Sequence, residues 1–234
     1  KIAQNAAHYA VQKPDEVTDL VDFKQPEISD TDLKAPIYID FGPTSLSATP
    51  WNNITSHQES STTSWIKDVE NNYTNIGVRV LDGFTATHAG VGSEPASPVT
   101  VDGVEFPLTA WKDGLLVKGE KNQGDVGPGR IEISQLDVAR KYNFTILAIR
   151  FNGSKDARIS SYKLVGKTES AVKEVKTGIK DAASFAAANF EEYIAKFENV
   201  EPDSEGKVIV EVKGLDTGSA AEGHINALCI SLAK

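Results

Sequence analysis

The chain of 234 residues holds one cysteine, Cys229, and no methionine. A single cysteine excludes any disulfide within the chain, so stability must come from a packed core. At this length about 70% of the unfolded surface is buried on folding, and no staple is needed. Cys229 sits in an apolar run, where a buried structural thiol is the expected role. With no methionine even at position 1, the sequence reads as a processed or trimmed product, any signal peptide or lipid-anchor cysteine lying upstream. Long apolar runs are also missing, and nothing approaches the roughly 18 residues of a membrane-spanning helix. Positive charge is scarce: 24 bases against 33 acids give a net charge of −9, with no extended basic run. That balance counts against nucleic acid and anionic membranes, which need a clustered positive field.

Signatures of catalysis are absent too. The sequence has no Gly-x-Ser-x-Gly elbow, His-Glu-x-x-His, Cys-x-x-Cys or phosphate loop. Its histidines (His8, His57, His88 and His224) form no helical pair for zinc, and Gly90-Val91-Gly92 is too short a signal for a nucleotide. The expectation is a protein that is not an enzyme. One catalytic class stays open, a glycoside hydrolase, because that chemistry needs only two carboxylates about 5 to 9 Å apart.

What is present is alternation. Residues 1–35 stand apart, acidic and proline-bearing from Lys13 to Pro36, and read as an arm or linker, or as the tail of a preceding domain. From Pro36 onward, Ile37, Ile39 and Phe41 share one strand face until Gly42-Pro43 stops the run. Ile76, Val78 and Val80 repeat the pattern, as do Ile131 with Ile133, and Val208, Val210 and Val212. Tyr142 to Phe151 and Ile225 to Leu232 are apolar on both faces, as central strands are. The one helical candidate is the alanine-rich stretch from Asp181 to Asn189, a turn or two capped by Asp181. Short strands between Gly, Pro, Asn and Asp turns predict an all-β, antiparallel two-sheet sandwich over residues 36–234.

The order of segments carries a resemblance. Tyr38-Ile39-Asp40-Phe41-Gly42 precedes a loop with Thr49-Pro50-Trp51-Asn52-Asn53-Ile54, and Ile133-Ser134-Gln135-Leu136-Asp137 precedes Lys141-Tyr142-Asn143-Phe144-Thr145. Then come Ala148-Ile149-Arg150, Arg158, Tyr162 and Val165-Gly166. Val200-Glu201-Pro202-Asp203, Gly206-Lys207-Val208 and Ile225-Asn226-Ala227-Leu228 close the series. The chain resembles the galactose-binding-like (malectin-like) jelly rolls of exported bacterial proteins, which often accompany glycan-processing enzymes. The resemblance implies an eight- or nine-stranded jelly roll, adjacent N- and C-terminal strands, a ligand site on loops at one end and sometimes a structural calcium ion. Such folds host binding, adhesion and purely structural modules alike.

Particular residues then compete between roles. Trp51-Asn52-Asn53 supplies an aromatic face and two amides suited to a sugar, or else a plug over the sandwich end with Asx turns. Trp111, in a long connection from Phe106 to Gly114, is a binding aromatic or a packing one; Trp65 reads as core. Arg150 and Arg158 flank a loop and suit sugar hydroxyls or carboxylates, or an ion pair with Asp156 or Asp40. Asp40 with Asn226 or Glu222 is a weak calcium candidate. Four sequons begin at Asn53, Asn72, Asn143 and Asn152, one inside a central strand, and read as chance. The expected function is non-catalytic glycan or polysaccharide binding at the loop end, by a module exported to the cell surface, periplasm or medium. A structural or adhesion module without free-sugar binding is the alternative.

Overall fold

A computed structural model describes residues 33–118, 128–151, 158–214 and 222–234. The arm proposed for residues 1–35 lies almost wholly outside them. Leu33 and Ala35 are described and buried, and Leu33 packs in the main core.

The alternating runs become strands. β1 (Ile37–Phe41) buries Ile37, Ile39 and Phe41 completely, as a period of two requires. β2 (Trp51–Ile54), β3 (Thr62–Thr63), β4 (Gly77–Asp82) and β5 (Ala86–His88) follow. β6 (Val99–Val101) and β7 (Val104–Phe106) form a hairpin whose two turn residues, Asp102 and Gly103, both have positive φ. That is the turn whose twist suits a two-residue hairpin loop. Next come α1 (Leu108–Lys112), β8 (Gly114–Lys118), β9 (Gly129–Ser134), β10 (Tyr142–Leu147) and β11 (Arg150–Phe151). β12 (Ile159–Val165), β13 (Lys173–Lys176) and β14 (Gly178–Ile179) lead to α2 (Ala182–Ala186). The expected cap is there: Asp181 Oδ1 accepts from Ser184 N at 2.8 Å. A 3-10 turn at Phe190–Tyr193 precedes β15 (Ile194–Val200), β16 (Val208–Gly214), β17 (Glu222–Ile225) and β18 (Ala227–Leu232).

Two sheets make the sandwich, one ordered β15-β10-β18-β1-β2 and the other β13-β12-β16-β9-β4-β3. Their inner faces bury Ile37, Ile39, Phe144, Ile131, Val208 and Val210 in one core. Each such side chain contributes about 1.5–3 kcal/mol by leaving water. The terminal strands are neighbours, with Ile37 opposite Ile230 in the antiparallel β1–β18 ladder. The pairing is not uniformly antiparallel, however. β1 with β2, and β11 with β14, run parallel. The nine residues between β1 and β2 are long enough to carry the chain back along the five-residue first strand.

A second core lies outside the five-stranded sheet. Val99, Phe106, Trp111, Phe185 and Tyr193 cover Leu147, Ile194 and Ala227 on its outer face. This cover explains the apolar outward-facing residues Leu147 of β10 and Ala227 and Cys229 of β18. Both runs are nevertheless shorter than their sequence suggests. The strand from Tyr142 ends at Leu147, and Arg150–Phe151 pairs separately with Gly178–Ile179. The run from Ile225 breaks at Asn226, where the chain leaves β17 in a small three-stranded sheet and enters β18. Trp65 is a correction as well. Its left-handed backbone (φ 54°) interrupts the local pattern, Trp65 stays half-buried, and Ile66 takes the core position.

Candidate functional site

The second core covers only part of the outer face, and strand register shows what remains open. Tyr38 pairs with Cys229, Cys229 with Thr145, and Thr145 with Lys196, so four strands contribute one continuous row. On the adjacent row Asn143 pairs with Ser231. These residues floor a groove of about 230 Å³, with Asp102 and Val104 of the β6–β7 hairpin as one wall. That is smaller than the roughly 300–1,000 Å³ of most small-molecule sites, and suits one ring of a larger ligand.

Every floor residue except Cys229 is half-exposed. The Tyr38 phenol is pushed above its ordinary pKa by burial and by the neighbouring thiol, so it is a neutral hydroxyl at any physiological pH. Asn143 Oδ1 accepts from Asn199 N at 3.0 Å, which fixes its amide. Lys196 Nζ pairs with Asp102 across the wall and with Glu191 at 2.6 Å. The groove thus offers an aromatic ring, hydroxyls, an amide and an ion pair, a donor and acceptor set suited to a polyhydroxyl ligand.

The residues singled out from sequence go elsewhere. Trp51 lies one strand beyond Tyr38 and packs between Tyr38 (ring centroids 5.0 Å) and Phe106 (5.7 Å). Asn52 donates to Tyr38 O at 2.9 Å and Lys67 O at 2.8 Å, and accepts from Lys67 N at 2.8 Å. Asn53 accepts from Ser47 N at 2.8 Å and donates to Ser47 O at 2.9 Å. Both amides are committed to holding loops. Trp111 is fully buried, and its indole N–H donates to Ser97 O at 3.2 Å. A side chain with no exposed surface cannot touch a sugar, so Trp111 is a core residue.

The calcium pair fares no better. Asn226 Oδ1 accepts from Ile149 N at 2.7 Å, and its amide donates to Trp111 O at 3.0 Å and Asp113 O at 2.6 Å. Its oxygen is already used, so it does not fit as a metal ligand. Glu222, the alternative partner, lies by Arg158 and His224 rather than Asp40. No group of three or more His, Cys, Asp or Glu side chains suited to a metal occurs among the described residues. Asp40 is instead a buried carboxyl. Its Oδ2 accepts from Ser47 N at 3.0 Å, and its Oδ1 has no partner. Burial, with Asp113 nearby, raises its pKa to about 7. Asp113 Oδ2 holds Thr44 N at 2.7 Å and Ser45 N at 3.1 Å. Gly42 must be glycine at this crossing: its φ is +144°, and a Cβ would lie 2.5 Å from Asp113 Cγ.

Arg150 and Arg158 do come together, around Thr177. Arg150 N donates to Thr177 O at 2.6 Å, and Thr177 N donates to Arg158 O at 2.9 Å. Arg158 is buried and lies 3.7 Å from Glu222, not from Asp40; Asp156 is outside the described residues. Glu222 lies 3.4 Å from His224, whose ring meets that of His88 edge-on at 5.1 Å. His224 and the two guanidiniums hold the Glu222 carboxyl down to about 2. Desolvation lowers the pKa of both histidines, leaving neutral imidazoles.

Sequence reasoning missed Tyr38, Asn143, Thr145, Lys196 and Ser231. The signal was there, since each is a polar or amphipathic residue on the outward side of an alternating strand. Only the pairing of distant strands brings them together.

No protein-family model and no curated protein matches the sequence. By structure, the chain is similar to the ANX2 ectodomain from Arabidopsis thaliana. That match has 6% identity and a TM-score of 0.48, and covers 85% of this chain and 49% of that one. It is similar to a chain in the complex of the plant peptide RALF23 with FER and LLG2, at 10% identity and a TM-score of 0.49 over 84% and 48%. TmCBM61 in complex with beta-1,4-galactotriose matches at 14% identity and a TM-score of 0.29, over 52% of this chain and 71% of that one. The chain spans about half the length of the plant chains it matches.

Proposed function

We propose that this domain is a non-catalytic carbohydrate-binding module, acting outside the cell or on its surface, whose ligand lies in the groove on the outer face of the five-stranded sheet. The observation that carries the reading is the row Tyr38-Cys229-Thr145-Lys196, left open where the second core ends. A pyranose ring set on Tyr38 buries its C–H face while Asn143, Ser231 and Thr145 meet its hydroxyls. Binding of this kind depends on a few fixed polar groups around one aromatic, not on a deep cavity.

The test is calorimetric titration with a panel of neutral oligosaccharides, using the native chain, Tyr38→Ala and Ser231→Arg. Ser231→Arg fills the groove from the sheet surface and should abolish binding with an unchanged melting temperature. Neutral glycans that bind this variant as tightly as the native chain would move the site elsewhere. A chain that binds none of the panel would be better read as a structural or adhesion module.

A further inference from the structure

The cluster around Arg150 and Arg158 stands apart from the groove and has its own chemistry. Arg158, Thr177, His88 and His224 are each more than nine-tenths buried. Yet Arg158 Nε and Nη1, Arg150 Nε, Thr177 Oγ1, His224 Nδ1 and His88 Nδ1 are buried without a hydrogen-bond partner. Buried polar atoms in folded proteins are nearly always paired, so this concentration in one place requires an explanation. They come from β5, β11, β17 and the residues flanking β12 and β14, joined by the Arg150–Thr177–Arg158 backbone bonds, the Arg158–Glu222–His224 contacts and the His224–His88 ring contact.

Charge narrows the reading. Among the described residues, two guanidiniums share this interior with one carboxylate, Glu222, and the imidazoles are neutral. Among the described residues Glu94 also acts on Arg150, less than Glu222 does, and its two oxygens accept from Val91 N and Gly92 N. Neither acid bonds the unpaired guanidinium N–H groups, which remain open donors. A buried guanidinium N–H without an acceptor is unfavourable, and arginine forks are suited to a planar oxyanion. Arg150 and Glu222 are half-exposed, so the cluster is reachable from solvent on their side.

We propose that Arg150, Arg158 and Thr177, backed by His88 and His224, form a binding site for a single carboxylate group, such as that of an acidic sugar. The carboxylate's two oxygens accept from the unpaired guanidinium N–H groups. The Glu222 carboxylate beside Arg158 repels a dianion such as phosphate more than a monoanion. This site does not depend on the sheet-face groove.

The experiment titrates the native chain with galacturonate, acetate, inorganic phosphate and galactose, following heat and the ring-proton resonances of His88 and His224. Galacturonate and acetate should bind saturably and shift both rings, phosphate should bind more weakly, and galactose should leave them unmoved. Arg150→Gln, at a half-exposed position, should weaken galacturonate binding at least tenfold, whereas Ser231→Arg should leave it intact. If Arg158→Gln fails to fold, the histidine resonances of the native chain still decide the matter. Absence of any shift with acetate and galacturonate, unchanged affinity in Arg150→Gln, or tighter binding of phosphate than of acetate would each overturn the assignment.

Discussion

The indole of Trp111 stacks on the ring of Phe185, their centroids 4.9 Å apart at 28°. The contact joins α1 to α2 and closes the second core over the five-stranded sheet. Trp111→Ala should therefore cost about 3–5 kcal/mol of stability. Denaturant unfolding should show this as a lowered midpoint, while a folded variant held at low temperature keeps its groove ligand. A variant of native stability would contradict the burial described here.

Asn226 stitches three segments at the point where β17 gives way to β18. Its side chain serves Ile149 N, Trp111 O and Asp113 O, while its backbone bonds Phe41 and Leu147. Asn226→Ala leaves the side-chain partners unpaired, at about 1–3 kcal/mol for each buried group. Aspartate cannot donate to the two carbonyls and should be at least as damaging. Thermal melts of the two variants, with and without added calcium, also test the ligand role: no calcium-dependent gain is expected in the native chain that Asn226→Ala then loses.

Asp40 makes stability depend on pH in an unusual direction. Its carboxyl titrates near 7 when folded, against 3.8 in the unfolded chain. Between those values the folded state holds the extra proton, so stability is greatest below about pH 4 for this group and declines as pH rises to 7. The neighbouring Asp113, also raised by burial, acts in the same direction. The full effect for Asp40 is on the order of 4 kcal/mol. Asp40→Asn keeps an acceptor for Ser47 N and removes the titration, so it should raise the melting temperature at pH 8 and flatten the profile between pH 5 and 8. A variant that melts lower than the native chain at pH 8 would refute the claim.

Cys229 lies on the groove floor, but little of it is exposed, and burial pushes its thiol well above its ordinary pKa. Thiolate is the reactive form, so the native protein should resist Ellman's reagent and react with one equivalent on unfolding. Rapid labelling of the folded chain would show the row beside Tyr38 to be more open than described.

The sandwich was legible because its evidence is local. Ile37, Ile39 and Phe41, or Val208, Val210 and Val212, declare a buried face without reference to any partner strand. The second core was not, since Val99, Phe106, Trp111 and Phe185 sit in short elements with no sustained period, and the stretch around Trp111 reads as a connection. The candidate groove was hidden for a different reason: Tyr38, Thr145, Lys196 and Ser231 lie far apart in the chain and meet only through register. Asn52 and Asn53 look like ligand amides in sequence because backbone-binding and sugar-binding asparagines present the same groups. Arg150 and Arg158 lie close together through Thr177, and the acid described beside Arg158, Glu222, comes from a strand more than sixty residues away.

The antiparallel ladder between β1 and β18 also determines how the domain bears tension. The start of the first strand lies beside the end of the last, so a pull on both flanks loads the rungs singly, beginning with the pair at Ile37 and Ile230. Such a joint peels open under modest force. It would part through the middle of the five-stranded sheet, with β2 following one half and β10 and β15 the other.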